Sequence, residues 1–246
     1  MITTDTHGLT VGEVQIPTHD GQIPAYRAMP AGKNQLPVVL VVQEIFGVHE
    51  YIKDVCRRLA HQGYLAVAPE LYVRQGDPEK YSDTGALIKE IVSKVTDAQV
   101  MADLDAAAAW AATHGGGGRL GVTGFCWGGR VVPMYAAHNP NLAAGVAWYG
   151  PTVRSYYPGD RTAVDVAAQI EVPLLGLFGG ADAGIPNETV DEFGAALKSA
   201  GNVLSQMVIY PDTGHAFHAD YRPSYRKDAA DDGWSRLTAW FKQYLR

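Results

Sequence analysis

The hydrophobic pattern of this 246-residue chain falls into two parts. The opening stretch reads as two short strands, near Leu9–Pro17 and Ile23–Ala28, joined at His19-Asp20-Gly21, where Asp-Gly favours a hairpin turn. From Pro37 onward the pattern changes. The run PVVLVVQEI (Pro37–Ile45) is continuously apolar and β-branched up to a polar end, as a strand buried on both faces of a parallel sheet must be. Similar runs recur at Tyr64–Leu71, Arg119–Phe125, Ala144–Gly150, Pro173–Gly179 and Ser205–Tyr210. Between them lie helical stretches at Tyr51–Gln62, an Ala-rich segment ending near Thr113, Gly128–His138 and Asn187–Ala200, with a last one at Lys227–Tyr244. That last stretch places Ala230, Trp234, Leu237, Trp240 or Phe241, and Leu245 on one stripe at spacings of three and four. Pro133 should kink the helix after Gly128.

Strand–helix alternation over this length predicts an α/β fold, a doubly wound and mostly parallel sheet with helices on both faces and an N-terminal β-hairpin. The units are too few for a (β/α)8 barrel. No repeat or linker divides the chain, so residues 1–246 are expected to form one domain. Gly115–Gly118 is not G-x-G-x-x-G and precedes a strand, so it reads as a tight helix-to-strand connection and not as a dinucleotide site. The long connections Val73–Thr84 and Pro151–Val172 follow strands and should lie at the carboxyl edge of the sheet, where ligands bind in this architecture.

Composition narrows the function classes. With 47% apolar and 19% charged residues the chain is globular in character, and a net charge of −6 with scattered Lys and Arg argues against nucleic acid as a partner. Two cysteines, Cys56 and Cys126, cannot form a disulfide framework and fit a reducing compartment. The N-terminus has no signal-peptide pattern and no run is long enough to span a membrane, so a cytoplasmic protein is expected.

The sharpest chemical signal is Gly124-Phe125-Cys126-Trp127-Gly128, between a strand and a helix. It has the form of a nucleophile elbow, in which glycines make room for a strained turn, with cysteine in place of serine. A helix N-terminus favours the thiolate, the attacking species. The alternative is a buried cysteine in a Gly-rich turn, as Cys56 is expected to be among Val55, Leu59 and Ala60. What favours chemistry is company: Asp182 follows the strand at Pro173–Gly179, and His215 follows the strand at Ser205–Tyr210. Nucleophile, acid, then base is the chain order of α/β-hydrolases. His215 and His218 form an H-x-x-H pair with no third ligand in view, so metal, zinc included, is a remote reading. His7, His19, His49, His61, His114 and His138 are given no role.

With Gln43-Glu44-Ile45-Phe46-Gly47, the cysteine elbow, Gly180-Ala181-Asp182 and Gly214-His215-Ala216-Phe217 in order, the chain resembles the dienelactone hydrolase (carboxymethylenebutenolidase) family over nearly its whole length. The resemblance implies an esterase or lactonase without cofactor, with Cys126 as nucleophile, His215 as base and Asp182 as its orienting partner. It implies that Glu44 pairs with the resting cysteine and leaves it on substrate binding, and that the backbone N–H groups of Ile45 and Trp127 form the oxyanion hole. The family holds a substrate carboxylate with arginines. One of those positions is Ala219 here, and Tyr81–Glu90 offers no counterpart of another, which leaves Arg74 and Arg222 as substrate anchors. The expected partner is a small ester or lactone, and the expected assembly a monomer or small homo-oligomer. A catalytically weak protein using Cys126 as a sensor thiol is the alternative.

Overall fold

The computed structural model describes residues 2–246. Eight strands form one sheet: β1 (Leu9–Thr18), β2 (Gly21–Pro30), β3 (Leu36–Val42), β4 (Leu65–Pro69), β5 (Gly116–Phe125), β6 (Leu142–Trp148), β7 (Leu174–Gly179) and β8 (Gln206–Tyr210). Their spatial order is β1-β2-β4-β3-β5-β6-β7-β8. The β1–β2 hairpin is antiparallel and joins β4 antiparallel, and every other pairing is parallel. Seven α-helices accompany the sheet: α1 (Glu50–His61), α2 (Thr84–Glu90), α3 (Asp97–Thr113), α4 (Trp127–His138), α5 (Ala163–Val166), α6 (Asn187–Ser199) and α7 (Lys227–Leu245). The expected mixed α/β sheet is therefore present, with each predicted strand and helix within a few residues of its predicted span.

Alternation along the buried strands explains the two-sided core. On β3, Val38, Leu40 and Val42 join one apolar cluster with Leu104 of α3 and Val131 and Val132 of α4, while Val39 and Val41 join the other with Leu59 of α1 and Leu237 and Phe241 of α7. Successive side chains point to opposite faces, so a strand covered on both sides must be apolar throughout. The α7 stripe is as predicted, with Ala230, Leu237, Trp240, Phe241 and Leu245 buried and Trp234 half-buried.

One local expectation changes, and two others gain detail. Gly116–Gly118 belongs to β5 and is not a connection. A side chain at Gly116 would come within 2.7 Å of Val38 Cγ2 and of the Ala111 carbonyl oxygen, so the missing Cβ atoms let β5 close against β3. Helix α4 runs through Pro133 to His138. The two long connections carry structure of their own, a 3-10 turn at Pro78–Lys80 in the first and α5 with a second such turn, Ala167–Gln169, in the other. Among the described residues no helix is long and apolar enough to cross a membrane.

Candidate active site

All the predicted chemical groups except Arg74 and Arg222 lie just past the carboxyl ends of parallel strands: Glu44 after β3, Cys126 after β5, Asp182 after β7 and His215 after β8. Cys126 is the residue between β5 and α4, with φ 56° and ψ −113°. A non-glycine residue in the left-handed half of φ costs on the order of 1–3 kcal/mol, so the surroundings must hold it there. They do so with backbone: the Cys126 N–H donates to the Trp148 carbonyl, 3.0 Å, and the Arg130 N–H to the Cys126 carbonyl, 3.2 Å. The flanking glycines are steric requirements. A Cβ at Gly124 would stand 2.2 Å from the Gly128 carbonyl oxygen, and one at Gly128 would stand 2.5 Å from the carbonyl oxygens of both Val42 and Gln43. The sulfur therefore faces the site from the head of α4, and Trp127, the first residue of that helix, carries an N–H with no acceptor within the helix.

His215 and Asp182, the expected base and acid, arrive on two turns tied to one another. The Gly180 N–H donates to the Tyr210 carbonyl, 2.8 Å, and the Ala181 N–H to that of Thr213, 2.9 Å, which locks the turn after β7 to the turn after β8. Asp182 is buried, and its Oδ1 accepts the Gly184 N–H at 2.8 Å. Its Oδ2 accepts from His215 Nδ1 at 2.6 Å, and His215 Nε2 lies 3.1 Å from Cys126 Sγ. One imidazole thus bridges carboxylate and thiol. Burial opposes charge on His215, but the hydrogen bonds to Asp182 and Cys126 outweigh it and push the imidazole up to about 10. Tyr149, itself at φ 37°, packs its ring edge-on against that imidazole, with centroids 5.3 Å apart. Cys56, by contrast, is fully buried on α1, where burial pushes its thiol well up.

Glu44 is 1% exposed, and its hydrogen bonds differ from the pairing that the resemblance implied. Its Oε2 accepts from the Tyr221 hydroxyl at 2.6 Å and from His49 Nε2 at 3.2 Å, Oε1 is buried without a partner, and the bond to Cys126 Sγ is made by His215 instead. His49, given no role from sequence, and Tyr221, not considered, are therefore the residues that sequence reasoning missed. Only the five-residue spacing from Glu44 to His49 in QEIFGVH could have pointed to the first, and Tyr221 reaches Glu44 across 177 residues. Ile45, next to Glu44, is buried in the loop that follows β3.

The substrate anchors fare unequally. Arg74 is spent within the protein: its guanidinium binds Asp20 at 2.7 Å and Asp103 at 2.8 and 3.0 Å, so it is not the cation for substrate that the sequence suggested. Arg222 lies over the Phe46 ring, 5.6 Å from its centroid, and adjoins Tyr221 in sequence. Ala219 is fully buried, so that position offers no room for an arginine. His218 is also buried. Its Nδ1 and the Tyr51 hydroxyl share a hydrogen bond of 2.6 Å, its ring stacks near Phe125 and Trp234, and burial among them depresses the imidazole to about 3. Among the described residues no three His, Cys, Asp or Glu side chains are grouped to hold a metal ion.

Comparison with known proteins shows the family. The sequence pattern of the Dienelactone hydrolase family matches residues 23–245. The chain is 59% identical to a Methylorubrum extorquens protein named "Putative carboxymethylenebutenolidase", over 99% of this chain and 84% of that one. It is 51% identical to an Escherichia coli K12 protein of the same name, over 99% and 91%. The crystal structure of a "Putative Dienelactone Hydrolase" from Klebsiella pneumoniae superposes with a TM-score of 0.93 at 55% identity, covering 96% of this chain and 99% of that one. An α/β-hydrolase sheet, a cysteine elbow and matches of this extent lead to one conclusion: the chain is a hydrolase belonging to the dienelactone hydrolase family.

Proposed function

We propose that this protein hydrolyses a small ester or lactone by transient acylation of Cys126. The observation that carries the reading is the continuous path from Asp182 Oδ2 through His215 to Cys126 Sγ, 2.6 and 3.1 Å, at a strained elbow on a helix N-terminus. In the first half-reaction the proton between Cys126 Sγ and His215 Nε2 lies with the imidazole, as its raised proton affinity favours, and the sulfur attacks the acyl carbon as the thiolate. The carbonyl electrons move onto oxygen, where the N–H groups of Ile45 and Trp127 stabilise the charge. Collapse of this adduct breaks the bond to the alcohol oxygen, which leaves with the proton held by His215. The thioester is then attacked by water, with His215 taking the water's proton and Asp182 holding the imidazole throughout. Release of the acid returns the electron pair to sulfur and leaves the proton on the imidazole.

Glu44 follows β3, the strand next to the one that carries Cys126, and Tyr221 and His49 hold one of its oxygens; a carboxylate at that place disfavours a resting thiolate. Two cysteines with no disulfide fit residence in a reducing cytoplasm. The test is a panel of short-chain esters and lactones presented to the purified protein and to Cys126→Ala. Hydrolysis by the first and at least a thousandfold less by the second is expected, since nucleophile removal leaves only binding and the oxyanion hole. Equal rates would refute the reading, and a protein inert toward the whole panel yet rapidly alkylated at Cys126 would favour a sensor thiol.

A further inference from the structure

Glu44 is placed to reach the nucleophile, yet its hydrogen bonds go elsewhere. In the β3–β5 pairing Val42 stands beside Gly124, so Glu44 and Cys126 each lie two residues beyond the same register pair. The strand ends are packed closely there, since a Cβ at Gly128 would meet the carbonyl oxygens of Val42 and Gln43 at 2.5 Å. Burial, followed by its neighbours Tyr51, Glu44 and Cys126, raises the Tyr149 hydroxyl well above its usual range, which puts Glu44 and Cys126 within electrostatic reach of one atom. A Glu44 carboxylate turned toward the sulfur would compete with His215 for it and set a second negative charge beside a thiolate.

What holds Glu44 is a clamp of two donors from separate parts of the chain. Its Oε2 accepts from the Tyr221 hydroxyl, on the loop between β8 and α7, at 2.6 Å, and from His49 Nε2, just before α1, at 3.2 Å. The His49 and Tyr221 rings meet edge-on with centroids 5.1 Å apart, and both lie against Tyr51, at 6.0 and 5.6 Å. Tyr51 is fixed in turn: it is fully buried, and its hydroxyl shares a 2.6 Å hydrogen bond with Nδ1 of His218, which burial keeps neutral. The second histidine of the H-x-x-H pair thus anchors the aromatic ring on which both donors rest. The charged groups facing this cluster from elsewhere are Arg222, over the Phe46 ring, and Arg58 of α1, which reaches Tyr51 and His218. With Glu44 so held, Cys126 Sγ keeps His215 Nε2 as its partner at 3.1 Å.

We propose that Tyr221 and His49 are positioning residues that keep Glu44 off Cys126, so that the free protein rests with its nucleophile already formed, a Cys126 thiolate against a His215 imidazolium, and needs no substrate to displace Glu44. The proton moves only from sulfur to His215 Nε2, so no co-reactant is required. The inference rests on the esterase reading above for the use made of the thiolate, and it departs from the resemblance, in which Glu44 pairs with the resting cysteine. Its consequence is chemical: a small electrophile meets a reactive sulfur in the absence of any ester.

The test reads the thiol of the full chain without substrate, as the rate of Cys126 alkylation by iodoacetamide from pH 5 to pH 9, located by peptide mass, together with the ultraviolet absorbance of the thiolate. At pH 6 the wild type should alkylate about tenfold faster than a free thiol, which is almost wholly protonated there. Tyr221→Phe, which removes one hydroxyl, and His49→Leu each release Glu44, and either should slow alkylation at pH 6 about fivefold or more and move its pH midpoint upward. In Tyr221→Phe/Glu44→Gln the neutral amide brings no charge to the sulfur, so the fast reaction should return, a rescue that mere loosening of the loop would not give. A wild-type thiol that titrates like a free one, rates unchanged in both single variants, or a double variant as slow as Tyr221→Phe would each overturn the proposal. Fast, clamp-dependent alkylation in a protein that hydrolyses no ester would uphold the clamp and refute the esterase reading. Ester hydrolysis by a protein whose resting thiol is ordinary would refute the clamp alone.

Discussion

A single backbone angle explains why the elbow has the residues it does. With φ 56° at Cys126, the chain turns so sharply that positions 124 and 128 meet carbonyl oxygens at 2.2 and 2.5 Å from any added Cβ. Gly128→Ala must therefore move β3 or the elbow, and we expect it to lose most activity and to unfold at lower denaturant concentration than the wild type. Unchanged stability and rate would mean that the turn tolerates a side chain. His215 gives a pH signature. Its folded value, about 10, lies above the unfolded value near 6.5. The stabilisation from protonating it in place is thus complete below about 6.5 and disappears as pH rises through 10. The difference in urea midpoint between wild type and His215→Gln should accordingly shrink from pH 6 to pH 10, and a difference that grew would contradict the sign. The chemistry at this scale was partly readable in the chain. Cys126, Asp182 and His215 each follow a recognisable strand, whereas Tyr221 contacts Glu44 only because the loop after His215 folds back over β3, which no local pattern encodes.

At the scale of elements, the strongest sequence signals were those tied to burial on both faces. The apolar runs of β3, β4, β6 and β7 admit little else, because a strand covered by helices on both sides has no polar face to display. The failure at β5 has the same physical root seen from the other side. Its first three residues are glycines, which carry no hydrophobic signal, yet close approach to β3 and to the end of α3 is what excludes any larger residue. Helix α4 survives Pro133 because the proline lies in a helix packed on its neighbours, and packing supplies what the lost hydrogen bond does not. The amphipathic stripe of α7 allows a quantitative test. Leu237 is fully buried against the face of the sheet that also carries α1, so Leu237→Ala should cost about 2–5 kcal/mol in chemical denaturation while leaving KM near the wild-type value. A cost below 0.5 kcal/mol would place α7 outside the core.

For the whole molecule, topology is what makes a site from residues far apart in sequence. Parallel strands point their carboxyl ends to one edge, and the order β3-β5-β6-β7-β8 brings Glu44 and Cys126 onto neighbouring strands, with Asp182 and His215 on the next neighbouring pair. Only β6 lies between the two pairs, and it contributes Tyr149 against the His215 ring and the Trp148 carbonyl that holds the Cys126 N–H. Everything in this account converges on one covalent event, and intact mass spectrometry observes it directly. The protein is mixed with an activated ester, quenched in acid within the first turnovers, and digested to locate the adduct. A mass increase equal to one acyl group, carried by the peptide containing Cys126, transient in the wild type and absent from Cys126→Ala, is the expected result. Ester turnover without any acyl adduct, or with the adduct on Cys56, would contradict it.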